Sequence, residues 1–304
     1  MGMSAPAPAT DRPSRDALLP WLRRGAWASL AVNVVIVVTG GVVRLTGSGL
    51  GCPTWPRCTP GSFVPHRALG VHGAIEFSNR MITFVLTAVA IATFVLALRV
   101  GRRALTRLSV VLALGVPAQA VIGGITVLTD LNPWIVSFHL LVSMAMIGVA
   151  VLLVQRVDEP DGPARTVLPP GVVWLVRSTF VAAWLVLYAG TVVTGSGPHA
   201  GDVKAPRNGL SPAGLSQLHA DLVFLLVGLT VAAFLVLRAT DAPRRTRRAA
   251  LVLLVVEVAQ GVVGFVQYFA GLPVAVVALH LLGAALLSAA VTWLLLGTRE
   301  HAAA

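Results

Sequence analysis

Eight stretches of this chain are apolar over roughly 20 residues or more, the length a helix needs to cross a hydrocarbon core of about 30 Å. They fall at about 26–46, 75–98, 108–128, 134–155, 172–194, 216–237, 249–270 and 273–296. Inside a bilayer every backbone N–H and C=O must find its partner within the chain, so runs of this kind fold as helices. Composition agrees: 12% of the 304 residues are charged and 56% are hydrophobic, about half the charge of a soluble domain and far from a disordered one. The expected fold class is all-α, a polytopic membrane protein. The first run lacks a small-residue cleavage site and is too long for a signal-peptide core, so it reads as a retained span.

The breaks between spans alternate in charge. Arg23 and Arg24 precede the first span; Arg99, Arg102, Arg103 and Arg107 follow the second; Arg156 and Arg165 follow the fourth; Arg244, Arg245, Arg247 and Arg248 follow the sixth. The other breaks, at 130–133, 195–212 and 271–273, are almost free of Lys and Arg. By the positive-inside rule the basic set is cytoplasmic, which sets both termini inside a cell membrane. The net charge of +11 is accounted for by these loops, with membrane lipid and not nucleic acid as the expected surroundings. Residues 1–20 are Ala/Pro-rich and expected to be a disordered tail.

The chain repeats itself. Ala118-Gln119 leads to Gly123 and then His139-Leu-Leu; Ala259-Gln260 leads to Gly264 and then His280-Leu-Leu. Thr46-Gly-Ser-Gly49 closes the first span and Thr194-Gly-Ser-Gly197 the fifth, and His72 and His219 follow at nearly equal spacing. Eight transmembrane helices thus divide into two parallel-repeat four-helix bundles. The expected segments are a cytoplasmic tail over 1–25, a first half over 26–157, a cytoplasmic linker over 158–171, a second half over 172–297 and a tail over 298–304.

His72, His139, His219 and His280 sit near the less basic ends of the even-numbered spans, one pair per half. An ionisable side chain within a membrane is costly and marks a functional site by default; the alternative is a histidine that only hydrogen-bonds across the bundle. Two imidazoles facing each other in a bundle core form an axial haem-ligand pair. Zinc fits less well, because no third or fourth ligand lies at suitable spacing. His66, His199 and His301 read as solvated loop or tail residues. Arg44, Arg67 and Arg80 gather at the same end and suit anionic propionates, or snorkel to headgroups.

Glu76 lies one turn from His72 on the same face. It pairs with Arg80 at i+4 or handles protons beside a reactive group. Counted from the Thr-Gly-Ser-Gly runs, its counterpart is Val223, which makes the first half the place for chemistry. Glu257 reads as structural, at the start of the seventh span. Cys52 and Cys58 bracket a Pro-bounded loop on the outer side, where they form a structural disulfide or a redox-active pair. Without a Cys-x-x-Cys-His run, no haem is attached covalently.

These residues together resemble the haem A synthases of cytochrome-oxidase assembly. The likeness covers nearly all of 26–296. It rests on the Gly40-Gly41-x-Val43-Arg44-x-Thr46-Gly-Ser-Gly-x-Gly-Cys52 run, Cys58, Ile75-Glu76-Phe77 and the later histidines. The resemblance implies oxidation of the C8 methyl of haem O to the formyl of haem A through two hydroxylations. It implies haem B held by His219 and His280, with substrate in the first half beside Glu76. It also implies haem O synthase as a partner, while no motif here identifies the electron donor or acceptor. One departure stands out: where the family often reads Glu-x-x-His-Arg, this chain reads Glu76-Phe-Ser-Asn79-Arg80. Either His72 replaces the missing ligand, or His139 holds the substrate iron alone; the expectation is His72, as ligand or as a residue directly supporting one. Two other classes compete with the enzyme: a di-haem b-type cytochrome that oxidises quinol, and a carrier that moves haem or another solute.

Overall fold

A computed structural model describes residues 15–302. Residues 1–14 of the expected N-terminal tail, and residues 303–304, lie outside the described residues. Eight helices carry the chain: α1 (Arg15–Leu45), α2 (Gly70–Val100), α3 (Arg103–Leu128), α4 (Pro133–Asp158), α5 (Pro170–Ser196), α6 (Pro212–Ala239), α7 (Arg244–Phe269) and α8 (Val274–Leu296). All eight are long and apolar enough to span a membrane. The protein is an all-α, multi-pass membrane protein.

The helices outrun their apolar cores. α1 starts at Arg15 and passes through Pro20, so the part of the expected tail from residue 15 onward is helical, with Leu18 and Leu22 buried. Helix starts follow from local chemistry. Pro133 and Pro212 occupy first-turn positions where no N–H is missed, while Asn132 Oδ1 accepts from Trp134 N (3.0 Å) and Ser211 Oγ from Gly214 N (3.3 Å).

Each half is a closed ring: α1–α2–α3–α4 and back to α1, then α5–α6–α7–α8 and back to α5. No diagonal pair packs closely among the described residues, so each ring keeps an interior. The halves meet along α1, α4, α5 and α8. The seam is built as membrane interfaces are, from small side chains that let backbones approach: Ala182, Ala183, Ala285 and Ala290 are buried there with Met144, Ile147 and Val291. Ser288 Oγ donates to Met144 O across it at 2.8 Å. The peripheral helices turn large apolar residues outward, among them Phe84, Ile91, Phe224 and Val262.

The two ends differ. At the end carrying Cys52 and Cys58 (the disulfide end), the 195–211 loop crosses to the first half, where Gly49 N donates to Gly201 O at 2.8 Å. At the opposite, basic end, the expected linker and tail join as a two-stranded antiparallel pair, Ala164–Thr166 with Arg299–His301. Acids of the linker gather the arginines: Asp161 accepts from Arg102 (2.7 Å) and Arg15 (3.1 Å), Glu159 from Arg156 (3.1 Å) and Arg245 (3.3 Å), and Asp158 from Arg23. His301 is half-buried, its Nδ1 2.9 Å from Gly162 O. It is not a freely solvated tail residue.

Candidate functional site

Buried positions along equivalent helices give the repeat its register. On α1 and α5, Leu22, Ala26, Ser29, Asn33 and Val37 correspond to Val172, Val176, Thr179, Ala183 and Leu187, each pair 150 residues apart. On α2 and α6, Leu86, Ala90, Thr93 and Ala97 correspond to Leu226, Thr230, Ala233 and Leu237, 140 apart. On α3 and α7, Gln119 Nε2 donates to His139 O (3.1 Å) and Gln260 Nε2 to His280 O (2.9 Å), an identical pairing 141 residues on.

In the second half, His219 on α6 and His280 on α8 face each other across the ring interior, centroids 6.5 Å apart and planes at 74°. Each imidazole lies against a glycine. A Cβ on Gly190 would stand 3.1 Å from His219 Cε1, and one on Gly264 would stand 3.5 Å from His280 Cε1. In the first half His139 lies on Gly123 in the same way, a Cβ there meeting its Cε1 at 3.3 Å. Nδ1 of His139, His219 and His280 is buried without a hydrogen bond of normal geometry. These three rings are half-buried.

His72 is placed differently. It is exposed at the start of α2, and its Nδ1 lies 2.9 Å from Ser48 Oγ. The register of 140 pairs His219 with Asn79, and the glycines agree: Gly40, 150 residues before Gly190, is the one whose Cβ would approach Asn79 Nδ2, at 3.9 Å. Spacing counted from the loops paired His72 with His219 instead, because the two loops differ in length. By the same register the counterpart of Glu76 is Ser216, not Val223.

Glu76 is buried and held from two sides. Arg80 donates to its Oε1 through Nε (3.1 Å) and Nη2 (2.5 Å), and the backbone N–H of Cys52 donates to Oε2 at 2.6 Å. Arg80 also donates to the carbonyls of Cys52 (3.2 Å) and Thr54 (3.2 Å). The ion pair and the Cys52–Cys58 disulfide, which is formed here, are therefore parts of one cap over the first ring. Trp55 of the same loop packs onto Gly124 of α3, next to Gly123 beneath His139. Arg67 is exposed. Arg44 ties the loop of the other half, Nε donating to His199 O (2.7 Å) and Nη2 to Thr194 O (2.9 Å), and lines a pocket of ≈ 380 Å³ with Arg207 and Asp202. His199 is half-buried, its Nε2 3.0 Å from Leu272 O, so it too is not solvated. Glu257 is buried midway along α7 and not at its start, with Thr230 Oγ1 donating at 2.8 Å.

Sequence reasoning singled out the four histidines, Glu76 and Arg80. It named Gly40 only as part of the family run, without its place beside Asn79; it missed Gly190 and Trp55, and it missed the register. Phe84/Phe224 and Phe94/Phe234, each 140 residues apart, carry that register in the sequence.

Fold and site define a duplicated four-helix membrane bundle with imidazoles facing the ring interiors. Residues 23–72 and 70–202 match the family model of cytochrome oxidase assembly proteins, COX15-CtaA, and the chain belongs to that family. It is 31% identical over 180 residues to the heme A synthase of Lysinibacillus sphaericus (strain C3-41), covering 55% of this chain and 57% of that protein. It is 26% identical over 172 residues to the heme A synthase of Bacillus cereus (strain 03BB102), covering 54% of each. A stretch of 75 residues, 24% of this chain and 12% of the other, is 41% identical to a protoheme IX farnesyltransferase of Thermus thermophilus. The chain spans little more than half the length of the heme A synthases it matches.

Proposed function

We propose that this chain is a haem A synthase, an oxidoreductase that converts the C8 methyl of haem O to the formyl of haem A by successive hydroxylations. The observation that carries the reading is the pair of equivalent ring interiors, each with a glycine-seated imidazole, of which only the first has a buried acid at its mouth. In this reading the second ring holds a resident haem B and the first receives the substrate.

The His219–His280 pair fits haem B. Two imidazoles sharing one metal from opposite sides stand about 6 Å apart, given metal–nitrogen bonds of about 2 Å, and the observed separation is 6.5 Å. Buried Nδ1 atoms leave Nε2 as the ligating nitrogen. When bound, the group supplies one-electron transfer. Gln260 fixes the backbone beneath one ligand, and Gly190 and Gly264 set how near each ring lies to its helix.

In the first ring, His139 is the ligand to substrate iron. Glu76 is the acid/base or charge-stabilising group at the methyl being oxidised, oriented by Arg80 and the Cys52 amide. Trp55 and the disulfide loop shield the mouth from water. Arginine bias in the loops supports the basic end, with both termini, as cytoplasmic, and the cell membrane as the location. The 75-residue likeness to a protoheme IX farnesyltransferase supports haem O synthase as partner.

Acid–acetone extraction and chromatography of the haems that copurify, with and without a haem O source, test the proposal. Haem A or a hydroxymethyl haem appearing only with haem O is the expected result. Unmodified haem B at two per chain would overturn it in favour of an electron-transfer cytochrome.

A further inference from the structure

The two rings are equivalent in three of the four groups that surround a ligated haem iron. His139 matches His280, Gly123 matches Gly264, and Gly40 matches Gly190, each in the same relation to its neighbours. The fourth differs. Where the second ring presents His219, the α2–α6 register presents Asn79. A carboxamide nitrogen has its lone pair delocalised into the C=O and does not act as an iron ligand. The carboxamide oxygen is already engaged: Thr39 Oγ1 donates to Asn79 Oδ1 at 2.8 Å, the shortest of the three contacts to acceptors around that hydroxyl. What remains is Nδ2, a donor with no protein partner among the described residues.

His72 does not fill the gap. It stands two helical turns away from Asn79, about 10 Å along the axis, exposed and held by Ser48. Its carbonyl lies directly against Gly51, where any Cβ would collide with it, so the start of α2 is pinned to the disulfide loop.

From this asymmetry we infer that the first ring binds its haem through His139 alone and leaves the opposite axial position open, with Asn79 Nδ2 as the hydrogen-bond donor facing whatever small ligand enters there. The inference rests on the proposed function for the presence of a haem in the first ring. It gives that ring a small-molecule subsite that the second ring, closed by two imidazoles, does not have. The class of ligand is a neutral or anionic diatomic or water-sized acceptor, recognised by one N–H.

The test uses the full chain in nanodiscs, loaded with haem O and haem B, and reads spin state and carbon monoxide binding to the dithionite-reduced protein. Two haem populations are expected: a low-spin one lost in His219→Ala, and a high-spin one that binds carbon monoxide and is lost in His139→Ala. Asn79→His should convert the second to low spin and suppress its carbon monoxide binding at least tenfold. Asn79→Leu should keep the high-spin state but shift the C–O stretch of the adduct upward, because the hydrogen bond is gone. His72→Ala should change neither signal. A first-ring haem that is low-spin in the unaltered chain, and turns high-spin in His72→Ala, would overturn the inference and make His72 the ligand. An unshifted C–O stretch in Asn79→Leu would remove the hydrogen-bonding role. If no haem survives in the His219→Ala, His280→Ala double variant, the proposed function falls for the first ring, an outcome separate from the other two.

Discussion

The Glu76–Arg80 pair should be among the most strongly coupled pairs of side chains at the disulfide end. Both side chains are largely buried, 8% and 21% exposed, with a closest N–O distance of 2.5 Å. Charge centres about 4 Å apart interact by about 4 kcal/mol at an effective dielectric near 20. Exposed pairs yield under about 1 kcal/mol. Removing one partner of a buried pair costs about 3–5 kcal/mol because the other is stranded. Arg80→Ala also frees the carbonyls of Cys52 and Thr54, so it should cost more than Glu76→Gln. A double-mutant cycle of Glu76→Gln, Arg80→Ala and the double variant, by detergent-titrated unfolding in bicelles, should return a coupling of about 2–4 kcal/mol. Additivity within about 0.5 kcal/mol would refute the reasoning and reduce the pair to a surface contact.

Cys58→Ser breaks the loop that aims the Cys52 amide at Glu76; losing one hydrogen bond to a charged group, worth about 1.5–3 kcal/mol, should lower haem O turnover roughly tenfold or more with little change in haem content, and unchanged turnover would count against the cap. Gly190→Val puts two extra carbons where even a Cβ stands 3.1 Å from His219 Cε1, so it should displace the ring and broaden or abolish the low-spin signal, whereas Gly228→Val, at a position with open space around it, should leave that signal intact. At the basic end, desolvation raises the Asp161 carboxyl, but Arg102 and then Arg15 outweigh it and hold the group below the usual carboxylate range. Its contribution is therefore present above the unfolded value of about 3.9 and lost as pH falls through the lower folded value. Hydrogen exchange at 164–166 should rise at the acid end of that window, and Arg102→Ala should move the onset to higher pH.

Span number and helix identity were legible because a bilayer leaves apolar runs only one way to satisfy their backbones. Helix ends were not: Trp21, Arg23 and Arg24 look like a tail by hydropathy, yet long amphipathic side chains extend a helix beyond the apolar slab. The short pair Ala164–Thr166 with Arg299–His301 has no alternation to read; it is tied at one end by His301, whose Nδ1 lies 2.9 Å from Gly162 O and whose Nε2 lies 3.9 Å from Glu159. The histidines were visible as ionisable groups in apolar runs, and so was the His219–His280 pair, but the repeat counterpart of His219 was not. Counting from Gly49 and Gly197 measures loop length, and the loop with the disulfide is built differently from the loop over 195–211. Buried faces are the better ruler, since packing fixes helix register and loops absorb insertions.

The order in which the helices are made bears on how the seam forms. α1, the first of the eight to emerge, packs against α8, the last, so the contact joining the halves spans nearly the whole sequence. The first ring closes on itself, α4 returning to α1, and can do so while α5 to α8 are still being synthesised. Docking of the halves must wait for the final helix. Until then, the faces of α1 and α4 that will meet the second half stand open to lipid, and the nascent first ring is the species that quality control meets. A substitution at Ser288, or at Gly148 of α4, where a Cβ would stand 3.1 Å from Thr292 Oγ1 of α8, should therefore reveal itself late in biogenesis, in the yield of assembled protein more than in the insertion of any one span.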